Sequence, residues 1–215
     1  AGGNGALGFG QAAVFSGDAA TSGGDGFVLF DDLGIAAGDF TCEFWVRFDD
    51  LGNHTMICTD ALSTGATAGH FAVFLISGQI YTYYWGSNYL SHAFTPPLLT
   101  ADTWYHYAVC RSGTSYEYFW GVAGNSRGVR EDEVMATAYT IGGGSHKWVL
   151  GRHSDGTVNA AYHLSGQMDE VRISKDVKYS GASYVIPNRP HSASSQTVSS
   201  LFAVDSAGSE VQLTQ

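Results

Sequence analysis

Positive charge is what this sequence has least of. Ten Lys and Arg face 20 Asp and Glu in 215 residues, a net charge of −10, and the ten are dispersed with no basic run. Nucleic-acid backbones are held by clustered cations, so no nucleic-acid partner is expected, and no anionic membrane surface for the same reason. The acidity favours solubility and is compatible with cation binding. Long apolar runs are also missing. None approaches the ~20 residues of a membrane-spanning helix, and no segment has the pattern of a secretory signal. The four prolines, Pro96, Pro97, Pro187 and Pro190, all fall in stretches that read as irregular. Three cysteines, Cys42, Cys58 and Cys110, sit inside apolar runs without C-x-x-C spacing, which speaks against zinc. Their odd number argues against a full disulfide framework. They read as buried free thiols acting as small hydrophobes, with a Cys42–Cys110 cross-strand bridge as the alternative. No G-x-S-x-G, H-E-x-x-H or P-loop string is present.

What the chain does have is glycine, 28 residues, with 12 Tyr and 12 Phe, and 44% hydrophobic residues, enough for a sizeable core. Many turns joined to aromatic segments suggest short strands with tight connections. In Phe40–Phe48, Phe40, Cys42, Phe44, Val46 and Phe48 share one face, and Thr41, Glu43, Trp45 and Arg47 the other, the period of a strand. Similar runs occupy 12–15, 27–30, 55–59, 70–76, 79–85, 103–111, 116–121, 147–151, 166–174 and 198–204. Ser77-Gly78 and Ser112-Gly113-Thr114 read as hairpin turns, hence antiparallel pairing. Residues 86–102 and 121–145 read as long loops, with room for a short helix in 127–136, and 179–196 as an extended tether. Short strands without βαβ units indicate an all-β sandwich or jelly roll of one domain.

Four strings lie in one order: Gln11-Ala-Ala-Val-Phe-Ser-Gly17; Gly38-Asp-Phe-Thr-Cys-Glu-Phe-Trp-Val-Arg-Phe48; Thr103-Trp-Tyr-His-Tyr-Ala-Val-Cys-Arg-Ser-Gly113; and Gly166-Gln-Met-Asp-Glu-Val-Arg-Ile-Ser174. Together they resemble a laminin-G-like domain of the concanavalin A-like lectin/glucanase superfamily. The resemblance covers about residues 11–190 and implies a jelly-roll sandwich of two antiparallel sheets. It leaves 1–10 as a Gly-rich N-terminal arm and 191–215 as a C-terminal extension with a final strand. The stretch from Asp169 through Pro187-Asn-Arg-Pro190 looks like versions found in phage, marine-virus and bacterial surface proteins. This implies a location on a virion or cell surface, and structural-protein subunits or further copies of the chain as partners. The fold hosts lectins, hydrolases and inert spacers alike.

The best binding stripe is Tyr81, Tyr83 and Trp85, on one face of a strand, with Tyr89 and His92 in the loop after it. Aromatic faces stack on sugar rings, so a glycan or surface polysaccharide is the expected ligand; the alternative is that the stripe covers the core. Trp120, beside Gly121 where the family usually turns, would be informative if exposed. Trp45, Trp104 and His106 read as core residues. The superfamily's hydrolases carry E-x-D-x-E on one strand face, and this chain lacks the string. Glu131-Asp-Glu133 reads as a solvated acidic patch, and the adjacent Asp169 and Glu170 point to opposite faces. No catalysis is therefore expected. The resemblance implies a structural calcium ion, with Asp18, Asp169 and Asp155 as candidate ligands; for Asp169 the alternative is a buried acid held by backbone amides.

Overall fold

The computed structural model describes residues 3–6, 8, 11–17, 27–31, 33–60, 69–85, 89–96, 99–143, 146–152, 162–181, 184–189, 202–204 and 210–212. The elements are strands: β1 (Gly3–Asn4), β2 (Gln11–Ser16), β3 (Phe27–Asp31), β4 (Phe40–Phe48), β5 (His54–Asp60), β6 (His70–Ile76), β7 (Gln79–Trp85), β8 (Tyr89–Phe94), β9 (Trp104–Ser112), β10 (Ser115–Val122), β11 (Val129–Val134), β12 (Lys147–Leu150), β13 (Ser165–Ser174), β14 (Phe202–Val204) and β15 (Glu210–Gln212). One sheet runs β1-β2-β13-β4-β9-β10-β11 and the other β3-β12-β5-β6-β7-β8, with β14 and β15 paired apart. Neighbouring strands are antiparallel, as in β4–β9 and β6–β7. The architecture is the expected jelly-roll sandwich.

Local sequence explains the elements. β6 and β7 are joined by Ser77-Gly78 alone, both at positive φ (51° and 78°). That is the left-handed pair a two-residue hairpin needs to match strand twist. β9 and β10 are joined just as tightly through Gly113-Thr114. The alternating apolar positions of β4 meet those of β9, β10, β6 and β7 in one core between the sheets. Each fully buried Phe or Leu there contributes about 1.5–3 kcal/mol. Arg111 is also wholly buried. It donates to the carbonyls of Gly38, Ala36 and Tyr139 and lies 4.8 Å over the Phe40 ring, so backbone dipoles stand in for a carboxylate.

Several details differ from the sequence reading. Residues 127–136 hold β11 rather than a helix, because Val129 to Val134 pair with Trp120 to Ser115 of β10. The expected loop 86–102 contains β8, which extends the sheet beside β7. A Cys42–Cys110 bridge is ruled out: the register sets Cys42 opposite Val109 and Thr41 opposite Cys110, so the thiols lie on opposite faces of the sheet. All three cysteines are buried thiols outside any disulfide.

The tether runs back over the outer face of the seven-stranded sheet. Tyr184 and Ile186 pack there with Trp45, Phe119, Ala108 and Cys110, and Val177 and Tyr179 join them. Both faces of β4 are consequently buried. Gly121 makes the seat, since a Cβ there would overlap Ile186 Cγ1.

Candidate functional site

The open aromatic surface lies on the other sheet. On β7, Ile80, Thr82 and Tyr84 point inward and are buried, and the Thr82 hydroxyl bonds the Tyr107 hydroxyl of the opposite sheet. Alternation therefore places Tyr81 and Tyr83 outside, half-buried, over a floor of Cys58, Ala72, Phe74 and Val149. Their ring centroids are 5.8 Å apart, and Phe74 meets Tyr83 edge-on at 5.1 Å. A polar rim adjoins them: the Tyr81 hydroxyl donates to Gln79 Oε1 at 2.8 Å, and Gln79 Nε2 donates to Thr95 Oγ1 at 2.9 Å. Trp85 and Tyr89 are register partners at the end of β7 and β8; their side chains lie outside the described part of the structure.

Trp120 does not belong to this surface. It sits within β10 opposite Tyr107, is 1% exposed, and stacks on Tyr105 at 4.9 Å. The turn expected beside it is absent because β10 continues through Gly121 to Val122. Trp45 and His106 are buried as core residues, on the tether side of the sheet.

The acids are committed elsewhere. Glu131 and Glu133 lie two apart on strand β11, not in a loop, and stay partly exposed. They reach His92 of β8 from either side, Glu131 Oε2 to Nε2 at 3.0 Å and Glu133 Oε2 to Nδ1 at 3.2 Å. The imidazole also stacks on Tyr118 at 3.8 Å. This clamp joins the edge strand of one sheet to that of the other. A carboxylate pair with an imidazole between its members is poorly placed to flank a glycosidic bond, which needs acid and base on either side of the sugar.

A second network escapes the sequence reading. Glu43 is fully buried on the outer face of β4. Arg172 donates to its Oε1 (Nε at 2.6 Å), and the Tyr179 hydroxyl donates to Oε2 at 2.5 Å. His106 Nε2 lies 3.3 Å from the same carboxylate, off hydrogen-bond alignment, and Nδ1 takes the Tyr184 hydroxyl. With that hydroxyl as donor the ring is neutral. Burial, the largest influence, lowers the His106 pKa against the raising effect of Glu43. The signal that could have found this network is an acid in mid-strand among apolar neighbours, in register with Arg172 of a second motif strand.

Asp169 matches the amide-held alternative: Oδ2 accepts from the Ala6 amide and Oδ1 from the Glu170 amide, both at 2.9 Å. Half-burial raises its pKa despite these donors. Glu170, at φ 50°, lies in a β-bulge that interrupts the strict alternation expected for the Asp169-Glu170 pair. Asp18 and Asp155 lie outside the described residues. Among the described residues no three His, Cys, Asp or Glu side chains converge as metal ligands. No helix among the described residues is long and apolar enough to cross a membrane.

Known proteins place this geometry. No curated protein matches the chain by sequence. Among solved structures, domains LG4-5 of the mouse laminin α1 chain superpose with a TM-score of 0.51 at 12% identity, over 81% of this chain and 45% of theirs. The carbohydrate-binding module CBM40 of the Ruminococcus gnavus IT-sialidase, bound to α2,3-sialyllactose, gives 0.55 at 15% identity, over 72% of this chain and 86% of its own. The enzymatically active domain of bacteriophage CBA120 tailspike protein 2 gives 0.59 at 13% identity, over 80% of this chain and 26% of its own. At such identities the likeness is one of fold. The chain thus spans less than half of the laminin fragment and about a quarter of the tailspike. A laminin G family profile covers residues 22–182, most of the chain, and with it the two stacked antiparallel sheets identify the protein as a member of the concanavalin A-like lectin/glucanases superfamily.

Proposed function

We propose that this domain is a non-catalytic glycan-binding module of a virion or cell surface, and that the outer face of β7 is its binding platform. The observation that carries the reading is the pair Tyr81 and Tyr83. They stand outside the core, half-buried beside Phe74, while Ile80, Thr82 and Tyr84 close the interior. Rings fixed by neighbouring rings offer a sugar a flat apolar surface at small entropic cost. Trp85 and Tyr89, paired at the end of the same hairpin, extend the proposal. The non-catalytic part is supported by the acids: Glu43 is sealed beneath the tether, and Glu131 and Glu133 hold His92. The CBM40 neighbour, whose bound ligand is a saccharide, is consistent with the reading. Calcium enters it through Asp169 and the segments carrying Asp18 and Asp155.

A glycan array probed with the wild-type domain and with Tyr83→Ala, each with and without EDTA, tests the proposal. Binding is expected to fall in the variant while its melting curve is unchanged, and no reducing sugar is released from any bound glycan. Loss of binding or a drop in melting temperature on EDTA treatment would assign a calcium ion. Equal binding by Tyr83→Ala removes the platform from the site.

A second reading is a structural subunit of a longer surface assembly, supported by the tailspike neighbour, whose chain is roughly four times the length of the shared part. Light scattering on native material decides it: specific multimers support this reading, and a monomer counts against it.

A further inference from the structure

Resting on the reading of the Tyr81–Tyr83 face as a glycan platform, we infer that its ligand is an uncharged saccharide, not a sialylated or sulfated one. The strand register shows what lies across that face. Beside Tyr81 come Ala93 on β8 and Phe74 on β6; beside Tyr83 come Ser91 and Ala72, with Cys58 and Val149 beyond. None of these is a cation. Lys147 enters only at the far end, at a register position between Asp31 and Asp60.

Most of the other cations among the described residues are already engaged. Arg47 pairs with Asp49 and Asp102, Arg130 with Glu117 and Asp132, Arg172 with Glu43 and Lys178 with Asp176. Arg111 is enclosed by carbonyls; Lys147, and Arg152, whose carbonyl accepts from the Cys58 thiol at the edge of the floor, have partners of their own. Arg127 bridges to Val185 of the tether, which packs on the outer face of the other sheet, and Lys175 and Arg189 lie at the tether's two ends in sequence. A sugar carboxylate or sulfate is normally held by Arg or Lys in charge-assisted, often bidentate, hydrogen bonds. Seated on Tyr, Phe and Ala without such a partner, it would lose hydration and gain nothing comparable. The net charge of −10 adds long-range repulsion.

What the face does offer suits a neutral sugar. The two tyrosine rings can stack against the C–H face of a hexose. The Gln79 amide and the Tyr81 and Thr95 hydroxyls can each donate and accept, matching ring hydroxyls that also do both.

The test is an array of matched glycan pairs that differ only in a sialyl or sulfate group, lactose and α2,3-sialyllactose among them. The hits are then titrated at low salt and at about 1 M salt, where the screening length shrinks to about 3 Å. The neutral member of each pair should bind at least about fivefold tighter, with an affinity that salt leaves unchanged. Tyr83→Ala, with its melting curve preserved, should weaken it about twofold to tenfold. A sialylated or sulfated glycan that binds tighter than its neutral partner, or binding that collapses in high salt, overturns the inference and leaves the glycan reading standing. No binding to any glycan by the folded domain defeats that reading, and the inference with it.

Discussion

Burial holds the His106 imidazole below its usual value of 6.5 although the Glu43 carboxylate lies beside it. The unfolded chain takes up a proton near 6.5 where the native ring resists it. The contribution to stability is therefore fully present above that pH and is lost as pH falls through the window below it. Replacing His106 with Gln should flatten the decline in melting temperature below about pH 6.5, read by circular dichroism against the wild type. A slope unchanged by the substitution would show that the ring does not titrate with unfolding. The Asp169 carboxyl has the opposite sign. Its raised pKa favours the native state in acid, and that contribution fades as pH rises above the ordinary carboxylate value of 3.8. At this scale the sequence is a partial guide. Trp45 and His106 are legible as core residues from their strand positions. The tyrosine that meets His106 is not, because Tyr184 is 78 residues away and no local pattern joins them.

Among elements, the tether, expected over 179–196 and described over 175–181 and 184–189, is the least regular and among the most consequential. Among its described residues one bridge, Arg127 to Val185, joins it to the sheet system, and side chains hold it as well: Thr41 Oγ1 donates to the Asp176 carbonyl and accepts from the Lys178 amide, while Tyr179 and Tyr184 reach Glu43 and His106. Gly121→Ala would push a methyl group into Ile186. Overpacking of this kind costs about 1–3 kcal/mol, and here the strain falls on a segment able to lift. Limited proteolysis should cut the variant within the tether faster than the wild type, with the sandwich core intact; equal cutting rates would show that Ile186 finds room without release. The extended character of this stretch is readable from its prolines and few apolar residues. Its role as a lid for β4 is not, since period-two reasoning assigns one face of a strand to solvent unless a third layer is known. β11 escapes notice for a related reason. Val-Arg-Glu-Asp-Glu-Val has the charge of a loop, and it becomes a strand because β10 offers it an edge and His92 offers its glutamates a partner.

For the molecule as a whole, the two sheets are closed against each other by the apolar core and tied at one edge by the His92 clamp. The described part of the N-terminal arm contacts this body. Gly3–Asn4 pair with Gln11–Ala12, and the Ala6 amide reaches Asp169 in β13. Deleting residues 1–10 takes one of two amide donors from a half-buried carboxylate. The cost should be about 1–3 kcal/mol, measured by urea unfolding of the truncated and full chains. No change would mean that water replaces the amide without loss.

The sequence by itself pointed to the superfamily through the resemblance of four motif strings, and it determined the antiparallel strands and the hairpins at Ser77-Gly78 and Ser112-Gly113-Thr114, because alternation and turn chemistry act over a few residues and need no knowledge of what lies opposite. It also marked Tyr81 and Tyr83 as sharing a face. Only the tertiary structure decided which face. The interior went to Ile80, Thr82 and Tyr84, where Thr82 meets Tyr107 of the other sheet, and Trp120 went to the core while the tyrosine pair stayed outside. A period of two separates the sides of a strand but cannot say which side a second sheet will cover; that is set by long-range packing, the one quantity a local pattern does not contain.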